Sequence, residues 1–279
     1  MRIPYLLAAT VVVLVAAGLG WLMQADVPVR EGGRPLRALY AIEPPFAFID
    51  RNGRVTGEAP EVLRVLAYRA GLGDVEFVHA EFGQLMHELA SGRGDVIASG
   101  LFVTSERALR LRFTRPSAQV GTGLLVAKGN PMQLHSLEDV AARSDAQLAV
   151  VDGAVEQVQA SRAGVPAARI QLHGDAASAV VAVIEGRADA FALSDVSLHY
   201  MMANSGFTGV ELAVPFALPQ RDGHPDAGRP AFAVRPEDEA LARRLDQAMA
   251  GYLGTAEHRA LVAPFGFGAD NISPAVGAR

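Results

Sequence analysis

One pattern occurs twice in the sequence and constrains the fold more than any other feature. In residues 89–98 the end of a helical pattern is followed by Gly-Arg-Gly-Asp and then by a short apolar run. Residues 183–192 contain the same succession, with Gly-Arg-Ala-Asp at its centre. From residue 36 onward, apolar runs of strand length alternate with helical patterns, which is typical of α/β proteins. The sequence therefore predicts two α/β lobes of similar construction.

The positions of the main strands and helices follow from the spacing of apolar residues. Short apolar runs predict strands at residues 36–41, 75–79, 95–100, 123–127, 148–151, 188–193 and 231–235. Apolar residues at helical spacing predict helices at 61–70, 82–91, 154–164, 176–185 and 237–253. Ser136, with Asp139 three residues later, is expected to cap one more helix.

The N-terminal segment, residues 1–25, is predicted to be a signal peptide or an N-terminal membrane anchor. Arg2 gives it a basic start, and an uncharged apolar run extends from Leu6 to Met23. This run is long for a signal-peptide core and close to the lower limit for a membrane-spanning helix, so both outcomes stay open. Residues 26–35 contain Pro and Gly without periodicity and are expected to form a linker. The rest of the chain is expected in the periplasm or another extracytoplasmic space, tethered to the membrane if the segment is retained.

The composition excludes several classes of protein. A formal net charge of −5 without a basic run argues against nucleic acid as a partner. The chain has no cysteine, which excludes disulfides, thiolate metal sites, a cysteine nucleophile and lipid attached to cysteine. The seven histidines show no metal-ligand spacing, so neither a metal nor another cofactor is expected.

Three blocks of sequence, at residues 81–95, 102–107 and 113–116, resemble family 3 extracytoplasmic solute-binding proteins of ABC importers. The resemblance covers almost all of the chain from residue 36 to about residue 274, and this family mostly binds polar amino acids. Within the family, further stretches are similar to ectoine- and hydroxyectoine-binding proteins. They are residues 57–62, 128–131, 153–156 and 186–192.

The resemblance implies an α/β, two-lobed periplasmic-binding-protein-like fold with a hinge and a ligand cleft between the lobes. Lobe I would combine residues 36–118 and 217–272, lobe II would be residues 119–216, and residues 273–279 would form a tail. A solute that contacts both lobes would favour hinge closure. The implied partners are a small zwitterionic solute and the membrane permease of an ABC importer, with the binding protein itself a monomer.

Arg107 is the strongest candidate for ligand binding, because it follows a Thr-Ser turn where this family places an arginine on the ligand carboxylate. A guanidinium can make two parallel hydrogen bonds to one carboxylate. Glu43 and Phe46 lie in the loop after the first strand, and ligands gather at such loops. Phe82 and Phe102 occupy positions where ectoine binders carry aromatic groups. The resemblance thus implies Arg107 for the carboxylate of ectoine, and Glu43 with three phenylalanines around its ring cation.

Lobe II is expected to contribute backbone groups and one acid. Gly153, Ala154 and Val155 open a helix whose free N–H groups can hold a carboxylate. Many amino-acid binders instead place Ser or Thr hydroxyls at this loop. Asp195 occupies a position where amino-acid binders often carry an acid for the α-amino group, although a helix N-cap is equally consistent with its sequence context. The solute therefore stays open between an ectoine and a polar amino acid.

An enzyme and a sensor domain are the alternative functions for this fold. A few relatives are dehydratases, and Glu43 facing Asp195 could support acid–base chemistry. No Ser-His-Asp order and no carboxylate pair stands out, so we expect a binding protein and not an enzyme. A sensor would need an uncleaved N-terminus and a separate signalling partner.

Overall fold

The computed structural model describes residues 33–272, which form two α/β lobes. The strands within this range are β1 (Leu36–Tyr40), β2 (Phe48–Ile49), β3 (Val55–Thr56), β4 (Val75–His79), β5 (Val96–Ile97), β6 (Arg112–Phe113), β7 (Thr122–Ala127), β8 (Leu148–Val151), β9 (Ile170–His173), β10 (Ala190–Ser194), β11 (Val210–Leu212), β12 (Gln220–Arg221), β13 (His224–Pro225) and β14 (Ala233–Val234). The α-helices are α1 (Glu58–Arg69), α2 (Leu85–Ala90), α3 (Ser105–Ala108), α4 (Leu137–Ala142), α5 (Val155–Arg162), α6 (Ala176–Ile184), α7 (Asp195–Asn204), α8 (Glu239–Ala250) and α9 (Ala256–Val262).

The sheet of lobe I has the strand order β4-β1-β5-β14-β6. Strand β1 pairs in parallel with β4 and β5, whereas β14 is antiparallel to β5 and β6. Because β14 comes after all the strands of the second sheet, the chain leaves lobe I after β6 and returns to it later. Helices α1, α8 and α9 share one apolar core against this sheet, built from Leu63, Leu66, Leu245, Met249 and Val262 among others.

The sheet of lobe II has the order β11-β7-β10-β8-β9 and is covered on both faces. Successive residues of a strand point to opposite faces, and β8 shows this clearly. Ala149 and Val151 enter one core with α6 and α7, while Leu148 and Val150 enter another with α4. A sheet that is buried on both sides explains why its strands have near-continuous apolar sequences. The two sheets confirm the expected two-lobed α/β fold.

The repeated sequence pattern has the same structural basis in both lobes. In lobe I the Asp95 N–H donates to the Arg37 carbonyl, and the Arg37 N–H donates to Asp95 Oδ2 at 3.0 Å. In lobe II the Asp189 N–H donates to the Gln147 carbonyl, and the Gln147 N–H donates to Asp189 Oδ2 at 2.8 Å. In each case the aspartate fixes the start of one strand against the neighbouring strand.

Helix boundaries follow the expected capping chemistry at α4 but differ from the prediction elsewhere. Helix α2 spans Leu85–Ala90 and not 82–91, and α8 spans Glu239–Ala250 and not 237–253. The Asp139 N–H donates to the Ser136 side chain, which confirms the predicted cap of α4. Helix α1 begins at Glu58 and not at residue 61, because Pro60 lies in the first turn, where no intrahelical N–H bond is lost. The preceding Gly57 has φ 121°, and a Cβ there would lie 2.5 Å from the Phe46 carbonyl oxygen, so glycine is required.

The predicted signal peptide or anchor at residues 1–25, most of the linker at 26–35 and the tail at 273–279 lie outside the described residues. Between residues 33 and 272, no helix is both long and apolar enough to cross a membrane.

Candidate ligand site

A small buried cavity lies where the two lobes meet. Its walls come from Glu43, Phe82, Gly100, Phe102 and Arg107 of lobe I and from Ala154, Val155 and Glu156 of lobe II. We call this space the inner cavity. Its volume of about 10 Å³ is room for a single water molecule. The lobes are therefore closed on one another around a set of charged and aromatic side chains.

Glu43 connects lobe I to lobe II through its side chain. It follows β1 in a tight loop, where its N–H and carbonyl both bond to the backbone of Ala47. Its Oε1 accepts hydrogen bonds from the hydroxyls of Ser197 at 2.8 Å and Ser194 at 3.3 Å, both in lobe II. Burial raises the pKa of Glu43 to about 7, although the two serine hydroxyls oppose that rise. Neither serine was predicted from the sequence.

Arg107 connects the lobes on the other side of the inner cavity. It lies in α3, where its N–H donates to the N-cap hydroxyl of Thr104. Its Nη1 donates to the Phe102 carbonyl at 2.7 Å and its Nη2 to the Gly153 carbonyl of lobe II at 2.8 Å. Burial lowers the pKa of Arg107, and the negative charge of Glu156 is the main effect that opposes this shift. A guanidinium nevertheless stays protonated at neutral pH. The cavity therefore has one fixed positive charge.

Glu156 is a second buried carboxyl of the inner cavity, and the sequence prediction did not include it among the site residues. It lies in the first turn of α5 and is 3% exposed. Burial, reinforced by the charge of Glu43, raises the pKa of Glu156 to about 8. Its own backbone N–H and Arg107 act in the opposite direction. Glu156 could have been predicted as a site residue from its place in the first turn of a helix that follows a strand after a short loop.

The aromatic wall differs from the predicted three-ring cage. Phe82 and Phe102 line the inner cavity, and the Arg107 guanidinium lies 5.9 Å from the Phe82 ring centroid. Phe46 does not line it. Its ring is 1% exposed and packs edge-on against Phe102, with ring centroids 6.1 Å apart, and against Phe267. Phe46 thus supports Phe102 from behind, because the loop after β1 turns its side chain into the core of lobe I.

Gly153 lies close to lobe I beside the inner cavity. Its φ is +75°, and a Cβ on it would lie 3.2 Å from the Cα of Gly83 in lobe I. The following residue, Ala154, occupies the N-cap position of α5 without a side-chain cap bond. Ala154 and Val155 line the cavity.

Asp195 lies apart from the inner cavity. Its Oδ1 accepts from the Val196 N–H at 2.7 Å and from the Gly121 N–H at 3.2 Å. These bonds tie the start of α7 to the segment that enters β7. Asp195 does not line the inner cavity in this structure, and its contact with a ligand stays a prediction.

A family model described as "Bacterial extracellular solute-binding proteins, family 3" matches residues 36–267, which span both lobes and the inner cavity. The chain belongs to this family. It is a solute-binding protein of the ABC-transporter type, which implies a small-molecule ligand and a membrane permease as its partner.

Three similar proteins illustrate the range of this family. A probable amino-acid ABC transporter periplasmic-binding protein of Sinorhizobium fredii is 32% identical over 235 residues, which cover 84% of this chain and 77% of that protein. The crystal structure of EhuB in complex with hydroxyectoine matches with a TM-score of 0.76 and 31% identity, covering 84% of this chain and 89% of EhuB. The crystal structure of an ancestral amino-acid-binding protein, a precursor of cyclohexadienyl dehydratase, matches with a TM-score of 0.71 and 26% identity. The match covers 83% of this chain and 95% of the ancestral protein.

Proposed function

We propose that this solute-binding protein captures ectoine or hydroxyectoine and delivers it to the permease of an ABC importer. The observation that carries the proposal is the pairing of Arg107 with Glu43 around one cavity between the lobes. Ectoine combines a carboxylate with a delocalised ring cation. Arg107 is the group for the carboxylate, while Glu43 and the Phe82 and Phe102 rings are the groups for the cation.

The balance of charge in the inner cavity supports a ligand with a cationic part. Two buried carboxyls, Glu43 and Glu156, share the cavity with Arg107, and no other Lys or Arg among the described residues lines it. An ionised carboxylate is costly to bury unless a cation pairs with it. A bound cation would therefore favour the ionised form of both carboxyls, while the ligand carboxylate balances Arg107.

Hinge closure explains how such a ligand would be held. The closed cavity is smaller than any candidate solute, so entry requires the lobes to separate. Glu43 and Arg107 already bond to lobe II through Ser197 and the Gly153 carbonyl. A solute that replaces these bonds contacts both lobes and so favours the closed state over the open one.

The cellular setting follows from the same proposal. The protein acts as a monomer in the periplasm or an equivalent extracytoplasmic space, and it releases its solute unchanged, without catalysis. Its N-terminal segment is either a cleaved signal peptide or a tether to the membrane, which N-terminal sequencing of the mature protein would distinguish.

A thermal-shift screen with ectoine, hydroxyectoine, proline-betaine and polar amino acids tests the proposal, because a ligand that binds only the folded state raises its stability. We expect Arg107→Ala to abolish the shift with ectoine. Arg110→Ala, an exposed arginine three residues away, and Asp195→Ala, outside the cavity, are the matched controls and should keep it.

A polar amino acid is the second candidate solute, favoured by the amino-acid transport assigned to the Sinorhizobium relative. In that case Glu43 and Glu156 would bind the α-ammonium group. A clear thermal shift with an α-amino acid and none with either ectoine would replace the ectoine proposal by this one. Chemical conversion of the bound solute, followed by mass spectrometry, would instead show an enzyme.

A further inference from the structure

Helix α7 of lobe II touches lobe I along one face that lies outside the inner cavity. Val196, in its first turn, packs against the core of lobe I, and the Tyr200 ring contacts the Phe48 ring with centroids 5.6 Å apart. Residues four apart on a helix lie on the same face, so both side chains point toward lobe I. Ser197, which donates to Glu43, lies beside them. A separation of the lobes at α7 therefore breaks apolar contacts as well as hydrogen bonds.

The Phe48 ring is supported within lobe I by a second segment of the chain. Phe48 begins β2 and pairs with Thr56 of β3. Its ring packs edge-on against Phe265, with centroids 6.2 Å apart and planes at 77°. Phe265 lies in the short turn after α9 and packs against the core of lobe I. Because Phe265 restricts the ring, Phe48 presents a fixed aromatic surface to Tyr200. We call Phe48, Phe265 and Tyr200 the aromatic cluster.

The aromatic cluster differs in one respect from the polar contacts between the lobes. Its three rings lie outside the walls of the inner cavity, whereas Glu43 and Arg107 line that cavity. A solute in the cavity would replace the bonds that Glu43 and Arg107 make to lobe II. It would leave the aromatic cluster in place, so this contact belongs to the closed state with or without a solute.

Closing the lobes removes part of the aromatic cluster from water. All three rings are half-buried, and burial raises the pKa of Tyr200. Burial of apolar area is favourable, and ring pairs at these distances add to it. The cluster therefore stabilises the closed lobes relative to the open ones.

We propose that the aromatic cluster is a latch that sets the equilibrium between open and closed lobes and so scales the affinity for every solute by a common factor. A contact made only in the closed state shifts the population toward that state without recognising the ligand. The choice of solute then depends on the cavity, whereas the strength of its capture depends in part on Phe48 and Tyr200. This goes beyond the proposed function, because it holds for whichever solute the cavity accepts.

Three variants and one control test the latch. Phe48→Ala and Tyr200→Ala each remove one ring of the contact between the lobes, and Tyr200→Phe keeps the ring without its hydroxyl. The control is Phe77→Ala, which removes another half-buried ring of lobe I. The Phe77 ring contacts Tyr40 and the Arg64 guanidinium, both in the same lobe. Thermal unfolding without ligand checks that each variant is folded.

The first measurement is the distance between the lobes without a solute. The chain has no cysteine, so Glu76→Cys/Glu138→Cys places one spin label at an exposed site of each lobe. Double electron–electron resonance then reports the populations of open and closed protein. We expect Phe48→Ala and Tyr200→Ala to lower the ratio of closed to open protein by about twofold to tenfold. Tyr200→Phe and Phe77→Ala should keep the wild-type ratio.

The second measurement is the affinity for ectoine, hydroxyectoine and L-glutamine by isothermal titration calorimetry. Phe48→Ala should weaken each probe that binds by the same factor, about twofold to tenfold. Adding Tyr200→Ala should weaken binding little further, because both substitutions remove the same contact. Phe77→Ala should lower the thermal stability and leave the affinities unchanged.

Unchanged distances together with unchanged affinities in Phe48→Ala and Tyr200→Ala overturn the latch. A factor that differs between the probes would show that these rings recognise the solute, which also overturns it. An equal loss of affinity in Phe77→Ala would assign the effect to the general stability of lobe I. If none of the probes binds to the wild type, the proposal for the solute fails, and the distances alone decide the latch.

Discussion

Two of the regions that bury carboxyl groups balance the charge in opposite ways. Asp95, at the base of the lobe I sheet, is 1% exposed and pairs with Arg34, Arg37 and Arg235. Burial alone would raise its pKa, but the hydrogen bonds from Arg34 and Arg37 hold the pKa of Asp95 well below its usual range. The pKa values of Glu43 and Glu156, which share Arg107, are instead raised to about 7 and 8.

The difference separates a structural acid from a binding acid. Around Asp95 the positive charge is in excess, so the carboxylate stays ionised well below the usual aspartate range. In the inner cavity the positive charge is in deficit, and a proton or a ligand cation must supply the remainder. The four predictions that follow would break or sharpen this contrast.

The largest effect is expected on stability at Asp95. Asp95→Asn should lower the free energy of unfolding by about 3 kcal/mol, because it removes the counter-charge of Arg34 and Arg37, while Arg235 keeps Asp238 at 2.6 Å. Glu43→Gln, the same chemical change in the inner cavity, should leave the ligand-free protein equally stable or more stable at pH 8. Urea unfolding measures both, and equal losses in the two variants would remove the contrast.

The stability of the ligand-free protein should fall as the pH rises. Glu43 and Glu156 titrate near 4.5 when unfolded but at about 7 and 8 when folded, so the folded state binds more protons between these values. Their contribution is fully present below pH 4.5 and is lost as the pH rises through 7 and 8. Glu43→Gln/Glu156→Gln should flatten this slope.

Part of that slope should remain in the double variant, because burial also raises the pKa of Glu58 to about 7. Asp95 has the opposite sign. Its contribution is lost only as the pH falls below the usual aspartate range. Urea unfolding from pH 5 to 9 measures these slopes, and a wild-type stability that rises over this range would contradict the assignment.

Solute binding should release protons. A ligand cation binds the ionised form of Glu43 and Glu156, so affinity should weaken as the pH falls through about 7. The affinity can change by at most about tenfold per pH unit for each proton released. Calorimetry in two buffers with different ionisation enthalpies counts the protons, and Glu43→Gln should lower the number. Binding that is independent of buffer and pH would show that the acids stay protonated.

The smallest effect is expected at the edge of the inner cavity. Gly153→Ala should cost about 1 kcal/mol of stability from the positive φ and weaken solute binding by about threefold to tenfold, since its Cβ would press on Gly83. Gly186→Ala is the matched control, with φ +68° but open space around its Cβ, and should lose stability without losing affinity. Equal affinities for the two variants would argue against close contact of the lobes in the bound state.

Much of the fold could be predicted from the sequence where apolar residues mark an element clearly. Strands β4 and β8 were predicted with the bounds that the structure shows, and α6 within one residue. Strands β4 and β9 both lie at the edge of a sheet with half-exposed side chains. Strand β9 was missed because only Ile170 and Leu172 of its four residues are apolar, a weaker signal than the three apolar residues of β4. Helix α7 was anticipated only as the N-cap alternative for Asp195, and its range was not predicted, because it begins at that residue directly after β10 without a loop to separate them.

The candidate site was predictable in part for a different reason. Arg107 and Glu43 carry a recognisable family pattern in their own loops, so their approximate position followed from the sequence. The hydrogen bond between Glu43 and Ser197 joins residues in different lobes, and nothing local to either residue indicates it. The direction of the Phe46 side chain was equally hidden, since it depends on the space beneath Gly100.

The place of β14 in the first sheet sets an order for assembly. This strand lies between β5 and β6, yet it is synthesised after every strand of lobe II. The second sheet can form from one continuous stretch of chain, whereas the first waits for a strand that arrives last, and such non-local pairing is slow. We expect pulsed hydrogen exchange during refolding to protect β8 and β10 before β5. A chaperone that holds the newly made chain would meet a finished lobe II joined to an open edge of lobe I.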